Sequence, residues 1–331
     1  MSKCKTSIQC SIGPSCDSPD ILSAMMAEGM DVLRINLSHG SAISQADKYD
    51  TYCMACDQHG ARDAEIMYDL CGPNVRVKDL PYGVISYKEG DEIIFPEVNY
   101  GDFYKDVTPG TEILVDDGLV RFEVTAVDGK DIHCKVTMGG DVKTNKGVNV
   151  PTIKLGMPFL NEQDKEDILW CIKHNVDYVA ASFVRRADDI TALRSFLKDN
   201  DGEGIKLIAK IENKEAIDNF EEIVQLADFI LIARGDMGVE IGYEKVPGVQ
   251  KKLIKRCNEL GVPVIVATQM VDSMMNRKIP TRAEVSDIYN TVLDGADALL
   301  VTGETALGDY PVLVVKELVK VASQAEQDMS R

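Results

Sequence analysis

The chain has 331 residues, with 36 Lys and Arg against 54 Asp and Glu, and the formal charge of −18 leaves no basic face for a nucleic-acid partner. Hydrophobic residues make up 45% and charged residues 27%, enough for a full core, which excludes a disordered chain; no run approaches about 18 uninterrupted apolar residues, which excludes a membrane-spanning helix and a membrane partner of that kind. The start, MSKCKTSIQCSIG, lacks the charged-then-apolar layout of a secretory signal, and nine cysteines form no even-numbered framework, so reduced thiols in a cytoplasmic protein are expected.

Short apolar runs ending at polar or glycine residues recur along the chain: SIQCSIG (7–13), VLRINLS (32–38), AEIMYDL (64–70), YVAASFV (178–184), KLIAKIE (206–212), FILIARG (229–235), VPVIVAT (262–268) and ALLVTGE (298–304). Near-continuous apolar runs of this length predict strands buried on both faces, as in a parallel sheet. Helix-period segments lie between them, at 18–29, 161–175 and 244–261. The first opens on Ser18-Pro19-Asp20 and closes on Gly29, a cap, a first-turn proline and a stop. Successive runs begin 23 to 36 residues apart, one β/α unit, except for a single interval of 114. Eight such units predict a (β/α)8 barrel in residues 1–76 and 151–331; a doubly wound open sheet is the rival. The long interval predicts an inserted domain at 77–150. Its EGDEIIFPEV and GTEILVDDGLVRFEVTAVDGKDIHCKVTMGGDV alternate near period two and turn at Asp-Gly and Gly-Gly, as in an all-β meander or small β-barrel. Cys53, Cys56 and His59 have the spacing of half a zinc site, but no second CxxC completes it, and one stripe of a helix accounts for them.

In a barrel of this kind chemistry collects at the C-terminal ends of the strands. Six of the eight predicted ends are polar: Arg34, Asn36, Ser38 and His39; Asp69, with Arg76 beyond; Lys210 and Glu212; Arg234, Gly235 and Asp236; Thr268 and Gln269; Thr302 and Glu304. Glu212 and Asp236 are hard oxygen donors on neighbouring strands and suit Mg2+ completed by water and substrate; the bland alternative is a rim salt bridge. Lys210 shares the face of Glu212 by the two-residue period and is placed to steady a transferring phosphoryl group. Arg34 and Arg76 can grip phosphate oxygens in bidentate fashion. Arg234-Gly235-Asp236 presents backbone N–H groups at a helix start, where a carboxylate or phosphate can sit. Metal-assisted phosphoryl chemistry on a small acid follows.

At this point the motifs resemble a known family. CSIGPSC (10–16), LRINLSHG (33–40), DLCGPNVR (69–76), VDDGL (115–119), KGVNVP (146–151), IAKIENKEA (208–216), ARGDMGVEI (233–241), VATQMVDSM (266–274) and PTRAEVSDIYNTVLDGADALLVTGETALGDYP (280–311) resemble pyruvate kinases over nearly the whole chain. The resemblance implies a barrel with a β lid inserted after the third strand and phosphoryl transfer from phosphoenolpyruvate to ADP, giving pyruvate and ATP. It implies that Glu212 and Asp236 bind Mg2+ (or Mn2+), that Lys210 stabilises the phosphoryl group in flight, and that Thr268 and the backbone of Gly235 and Asp236 hold the substrate carboxylate. Thr268 would also lie near the carbon that is protonated. Arg34, His39, Arg76 and Lys146 would contact nucleotide and transferring phosphate, and Asn36, Ser38, Asp69 and the Leu70 carbonyl match a K+ site.

Two departures stand out. The stretch Asp69-Leu70-Cys71-Gly72-Pro73-Asn74 carries the leucine of K+-independent relatives, but Asn74 is neither the carboxylate of K+-dependent members nor the lysine that replaces the cation. The sequence also stops at Arg331, where family members usually continue into a C-terminal α/β domain with an effector site; no such site and at most a homodimer through the barrel are expected. Two other readings compete. One is a Mg2+-dependent lyase or aldolase acting on pyruvate-like enolates, against which Lys210 and KGVNVP speak. The other is a catalytically weak regulatory homologue, against which Lys210, Glu212, Asp236 and Thr268 speak. Glu304 and Ser182 match the family but would equally brace the rim, Thr302 would equally cap a helix, and the acidic stretch 218–222 reads as a solvated helix face.

Overall fold

The computed structural model describes residues 4–60, 64–151 and 153–329. Eight parallel strands close a barrel: β1 (Ser7–Ser11), β2 (Val32–Asn36), β3 (Glu65–Asp69), β4 (Tyr178–Ala181), β5 (Lys206–Ile211), β6 (Phe229–Ala233), β7 (Val264–Ala267) and β8 (Ala298–Val301). Neighbours in sequence are neighbours in space, and β8 returns to β1 with Ser7 opposite Ala298. Closure removes both sheet edges and excludes the open-sheet rival. The continuous apolar runs are explained by burial on both faces: every residue of β7 is buried, as are four of the five in β6.

Alternation along the strands decides what enters the barrel. Val32, Met67, Ala180, Ile208 and Leu231 point inward and pack one another in the lower barrel. Residues two positions further on share that direction and lie nearer the C-terminal rim. There the sequence changes from aliphatic to Arg34, Asp69, Ser182 and Lys210, all buried. The opposite face of each strand packs against the helices in a separate, larger cluster.

The helix signals act as expected. Ser18 accepts from the Ile21 N–H at the start of the helix Pro19–Glu28, and Gly29 ends it at φ 115°. Asn161 caps Glu162–Lys173, and Gly261 ends Val246–Leu260 at φ 70°. Cys53, Cys56 and His59 lie on the helix Ala46–His59, and all nine cysteines are thiols. Among the described residues no group of three His, Cys, Asp or Glu is arranged to hold a metal, and no helix is long and apolar enough to cross a membrane.

Between β3 and β4 the chain forms antiparallel sheets. Five strands, ordered Val148–Asn149, Glu112–Val115, Val120–Asp128, Asp131–Met138 and Glu92–Ile94, make one; Val84–Tyr87 and Gly140–Lys143 make the other. The all-β reading holds apart from two short helical turns, Pro81–Gly83 and Phe103–Asp106, the second of which seats Phe103 in the core. The small barrel does not form, because Gly140–Lys143 leaves the larger ladder to pair with Val84–Tyr87 and the ring stays open. Phe95, Phe122, Val136 and Val148 are core residues of these sheets. Val75 belongs to the same cluster and Leu155 and Met157 pack on it, so the packing reaches past both ends of 77–150.

Candidate active site

The rim residues form one buried ionic network, built by strand register. Ser11 lies opposite Arg34 and Asn36 opposite Asp69, and Asp69 lies opposite Ala180, so residues far apart in sequence meet at one level. Arg34 donates from Nε to Asp69 Oδ2 at 2.8 Å and from Nη1 to Ser11 Oγ at 2.8 Å. Lys210 Nζ donates to Ser182 Oγ at 2.7 Å and lies 3.1 Å from Asp69 Oδ1 and 2.9 Å from Glu212 Oε1. Ser182 in turn donates to Asp69 Oδ1 at 3.0 Å. Burial alone would push the Asp69 carboxyl up, but Lys210 and Arg34 outweigh it and hold it below its ordinary value. For Lys210, burial favours the neutral amine; Asp69 and Glu212 reverse this and keep the ammonium charged.

Glu212 is fully buried. Its Oε2 accepts the Phe183 N–H at 2.6 Å, whereas Oε1, although near Lys210, has no hydrogen bond of acceptable geometry. Asp236, in the first turn of the helix Arg234–Ile241, makes no side-chain hydrogen bond or ion pair among the described residues. Burial raises both carboxyls, against the opposing pull of Lys210, and the lid residue Asp117 pushes Asp236 in the same direction. Two positive groups (Arg34, Lys210) therefore face three acidic ones (Asp69, Glu212, Asp236). An orphaned buried carboxylate oxygen, an uncommitted second carboxylate and this charge deficit fit a hard divalent cation, with water and substrate completing six ligands. The bland alternative is met for Glu212, which forms a rim ion pair with Lys210 at 2.9 Å, but not for Asp236, which has no ion-pair partner among the described residues.

Thr268 follows β7 in a left-handed conformation, φ 73°, and Gln269 continues it at φ 54°. A β-branched residue there costs on the order of 1–3 kcal/mol and needs surroundings that enforce it. Thr268 Oγ1 accepts the Gly235 N–H at 3.0 Å, which spends one of the two backbone donors expected to hold a carboxylate and leaves that of Asp236. The hydroxyl's own hydrogen is committed to no acceptor among the described residues. A Cβ on Gly235 would meet only Thr268 Oγ1, at 3.5 Å, so glycine keeps open a space beside that hydroxyl.

The remaining expected residues are less concentrated. His39 ends the 3-10 turn Leu37–His39; burial, and then Arg76, Lys48 and Arg34, hold its imidazole below the usual pKa. Arg76 donates from Nη1 to the Asn145 carbonyl at 2.9 Å, and its Nε is buried without a hydrogen bond. Lys146 is paired with Asp116 at 2.7 Å within the lid. Of the K+ set, Asn36 Oδ1 accepts the Ser38 N–H at 3.1 Å, Leu70 adjoins them, and both Asp69 oxygens are already engaged. Asn74 lines a cavity of about 170 Å³ between residues 148–150 of the lid and the segments that follow β4 and β5, with Phe183, Arg185 and Asn213 on its wall. Thr302 does not cap its helix; instead Glu304 accepts the Thr302 and Val271 N–H groups and braces the rim. In the acidic stretch, Asp218, Glu221 and Glu222 are exposed but Phe220 is buried, and Glu221 pairs with Arg256.

Sequence reasoning ranked Ser182 as a possible brace, yet it joins Lys210 to Asp69; its signal was a hydroxyl inside an apolar run. It missed Asp164 and Asp167. These buried carboxylates on the helix Glu162–Lys173 accept the N–H of Gly72 at 3.3 Å and of Ala42 at 2.7 Å, pinning the loops after β3 and β2.

A family model described as pyruvate kinase, barrel domain, matches residues 3–315. A pyruvate kinase of Geobacillus stearothermophilus is 45% identical over 98% of this chain and 57% of its own length. One of Staphylococcus haemolyticus is 43% identical over 99% and 58%, and one of Clostridium perfringens 40% over 98% and 71%. The chain thus spans less than two thirds of the first two relatives. The crystal structure of a pyruvate kinase from Cryptosporidium parvum superposes with a TM-score of 0.92 at 35% identity, covering 98% of this chain and 70% of that one.

Proposed function

This chain belongs to the pyruvate kinase family, and from that membership and the geometry of the barrel mouth we propose that it transfers the phosphoryl group of phosphoenolpyruvate to ADP, giving pyruvate and ATP. The observation that carries the reading is the Lys210–Glu212 pair with Asp236 beside it: a buried ammonium next to two carboxylates with oxygens to spare.

Glu212 and Asp236 would hold Mg2+ (or Mn2+), which would neutralise charge on the phosphoryl and enolate oxygens. Lys210 has three donors. Its contact with Glu212 makes no well-angled hydrogen bond, so a phosphoryl oxygen can replace it while Ser182 and Asp69 keep the ammonium in place. The Asp236 N–H at its helix start would donate to the substrate carboxylate beside Thr268. As the bond from phosphorus to the enolate oxygen breaks, an oxygen of the ADP terminal phosphate takes the phosphoryl group. The enolate then takes up one proton from solvent at its methylene carbon, where the Thr268 hydroxyl is placed to orient the donor. Arg34, His39, Arg76 and the lid residue Lys146 would contact nucleotide and phosphate; for Arg34 this requires donors beyond those spent on Asp69 and Ser11. Pyruvate kinases generally need K+ as well, and Asn36, Ser38, Asp69 and the Leu70 carbonyl would supply its oxygens, with the neutral Asn74 nearby changing the local charge by neither sign.

The test is a coupled assay of pyruvate formation from phosphoenolpyruvate with Mg2+, with and without ADP, in K+ and again in a large organic cation. ADP-dependent pyruvate formation supports the kinase. Turnover in both salts places Leu70 and Asn74 with the K+-independent relatives; turnover in K+ alone means that Asn74 permits a K+ site. Pyruvate release that ignores ADP, or no turnover, overturns the reading.

A further inference from the structure

Arg234 follows β6 among the residues that the sequence places at the barrel mouth, yet its guanidinium is spent on protein partners. Its side chain is 10% exposed. Nε donates to the Thr268 carbonyl at 3.0 Å, Nη2 to the Gln269 carbonyl at 2.9 Å, and Nη1 pairs with Asp287 Oδ2 at 2.7 Å. Asp287 belongs to the helix Arg282–Leu293, so one planar group ties together the ends of two strands and a helix behind them. The next residue completes the arrangement: the Gly235 N–H reaches Thr268 Oγ1 at 3.0 Å.

These contacts fall on a stretch of the site with an unfavourable backbone; Phe183, at φ 54°, is another. Thr268 and Gln269 are consecutive non-glycine residues at positive φ, and both of their carbonyls point at the same guanidinium. In an ordinary extended continuation of β7 the peptide would turn over, the two carbonyls would leave Arg234, and Oγ1 would leave Gly235. The fork geometry of arginine matters here, because two carbonyls and a carboxylate are met in one plane; a lysine ammonium offers a point charge and no such plane. Asp287 balances the charge, so the clamp adds no net positive potential to the substrate space.

We propose that Arg234 is a positioning residue. Through the Thr268 and Gln269 carbonyls it enforces the left-handed turn after β7, and so fixes the Thr268 hydroxyl beside the methylene carbon that is protonated, without itself touching substrate. The inference rests on the proposed reaction for the role of Thr268, and on geometry alone for the clamp.

The test compares wild type, Arg234→Gln, Arg234→Lys and Asp287→Asn. Exchange of pyruvate methyl protons with D2O, followed by NMR under turnover components, reports the carbon-centred half of the reaction. Steady-state kinetics report the KM for phosphoenolpyruvate, and a crystal structure of each variant reports the Thr268 φ. Arg234→Gln is expected to slow methyl exchange at least 30-fold with the KM changed less than three-fold and Thr268 at negative φ. Arg234→Lys is expected to restore less than a tenth of the exchange. Asp287→Asn, which keeps all the Arg234 donors, is expected to stay within five-fold of wild type. If Arg234→Gln is too unstable to assay, Arg234→Lys against Asp287→Asn carries the same contrast. A retained left-handed Thr268 in the arginine variants, methyl exchange within three-fold of wild type, or a KM increase that matches the loss of exchange overturns the proposal. Absence of ADP-dependent turnover in wild type is a different failure, that of the proposed reaction, and the variant structures still decide whether Arg234 sets the turn.

Discussion

Lys210, on β5, and Glu212, just past its end, sit two residues apart and aim opposite charges at each other across 2.9 Å inside the barrel mouth. Neither is exposed by more than a tenth; Asp69 and Glu212 hold Lys210 charged, whereas Lys210 favours the ionised form of Glu212 and Asp236 and Asp69 oppose it. Substituting Lys210→Met removes the cation that the transferring phosphoryl group needs. A rate loss on the order of 10²–10³, or about 2.7–4 kcal/mol, is expected. The measurement is kcat at saturating substrate on protein shown to be folded by circular dichroism. Turnover within three-fold of wild type would remove Lys210 from the transition state.

Asp164 gives a pH signature unrelated to catalysis. Burial, helped by Asp167 and opposed by the Gly72 N–H, pushes its carboxyl up to about 6. The folded-state pKa therefore lies above the unfolded one, and ionising Asp164 costs stability. Between the unfolded pKa near 4 and about 6 the folded state holds a proton that the unfolded state has released. Its contribution should fall as pH rises through that window, by at most about 1.4 kcal/mol per pH unit. Urea unfolding of wild type and Asp164→Asn at pH 4.5, 5.5 and 6.5 checks this: the wild type should lose ground against the variant as pH rises. A constant difference between the two curves would refute it.

What the sequence showed and what it hid follows from the range of the interactions. The strands were legible because FILIA and VIVA are apolar on both faces, and the Lys210–Glu212 relation because a period of two is local. The lid turns were legible because Asp117-Gly118 and Asp128-Gly129 state their conformation within two residues, with Gly118 at φ 80° and Gly129 at φ 60°. Ser182 and Phe183 were not legible as parts of the ionic network, since their partners depend on which strands lie side by side across the barrel. Arg234 was visible as a strand-end charge, but its partners Thr268 and Asp287 are 34 and 53 residues away, and the positive φ of Thr268 has no signature in its residue type. Asp164 and Asp167 look like ordinary first-turn acids until the loops they hold are folded over them.

A side-chain hydrogen bond joins the lid to the helix Arg234–Ile241. Asn149, in the last lid strand, donates from Nδ2 to Glu240 Oε1 at 3.1 Å. Glu240 is one helical turn beyond Asp236. Asn149→Ala removes a donor to a half-buried carboxylate, an interaction worth about 1.5 kcal/mol, or roughly ten-fold in an equilibrium. If that contact holds the lid over the nucleotide, the KM for ADP should rise up to about ten-fold while the KM for phosphoenolpyruvate stays within two-fold. Equal increases in both constants would mean that the contact supports the barrel mouth generally and not the lid.

A carboxylate on the last helix ties that helix to the residues just before β1. Glu326, on the last helix, accepts the Lys5 N–H at 2.9 Å, the Thr6 N–H at 2.7 Å and the Thr6 hydroxyl at 2.8 Å, tying Pro311–Met329 to the strand that meets β8. Burial would raise its pKa, but these donors outweigh burial and hold it below the ordinary glutamate value. The sign is opposite to that of Asp164. Glu326 contributes its full stability above the unfolded pKa and loses it as pH falls through the lower folded value. Glu326→Ala should therefore cost about 1.5–3 kcal/mol at pH 7, because backbone donors to a charged group lose their acceptor. The penalty should shrink toward pH 3, where the wild-type carboxyl is itself becoming protonated. Urea unfolding of the two proteins at pH 7 and at the lowest pH that keeps wild type folded measures both parts. A penalty that is independent of pH would assign the effect to lost packing of the side chain, not to its charge.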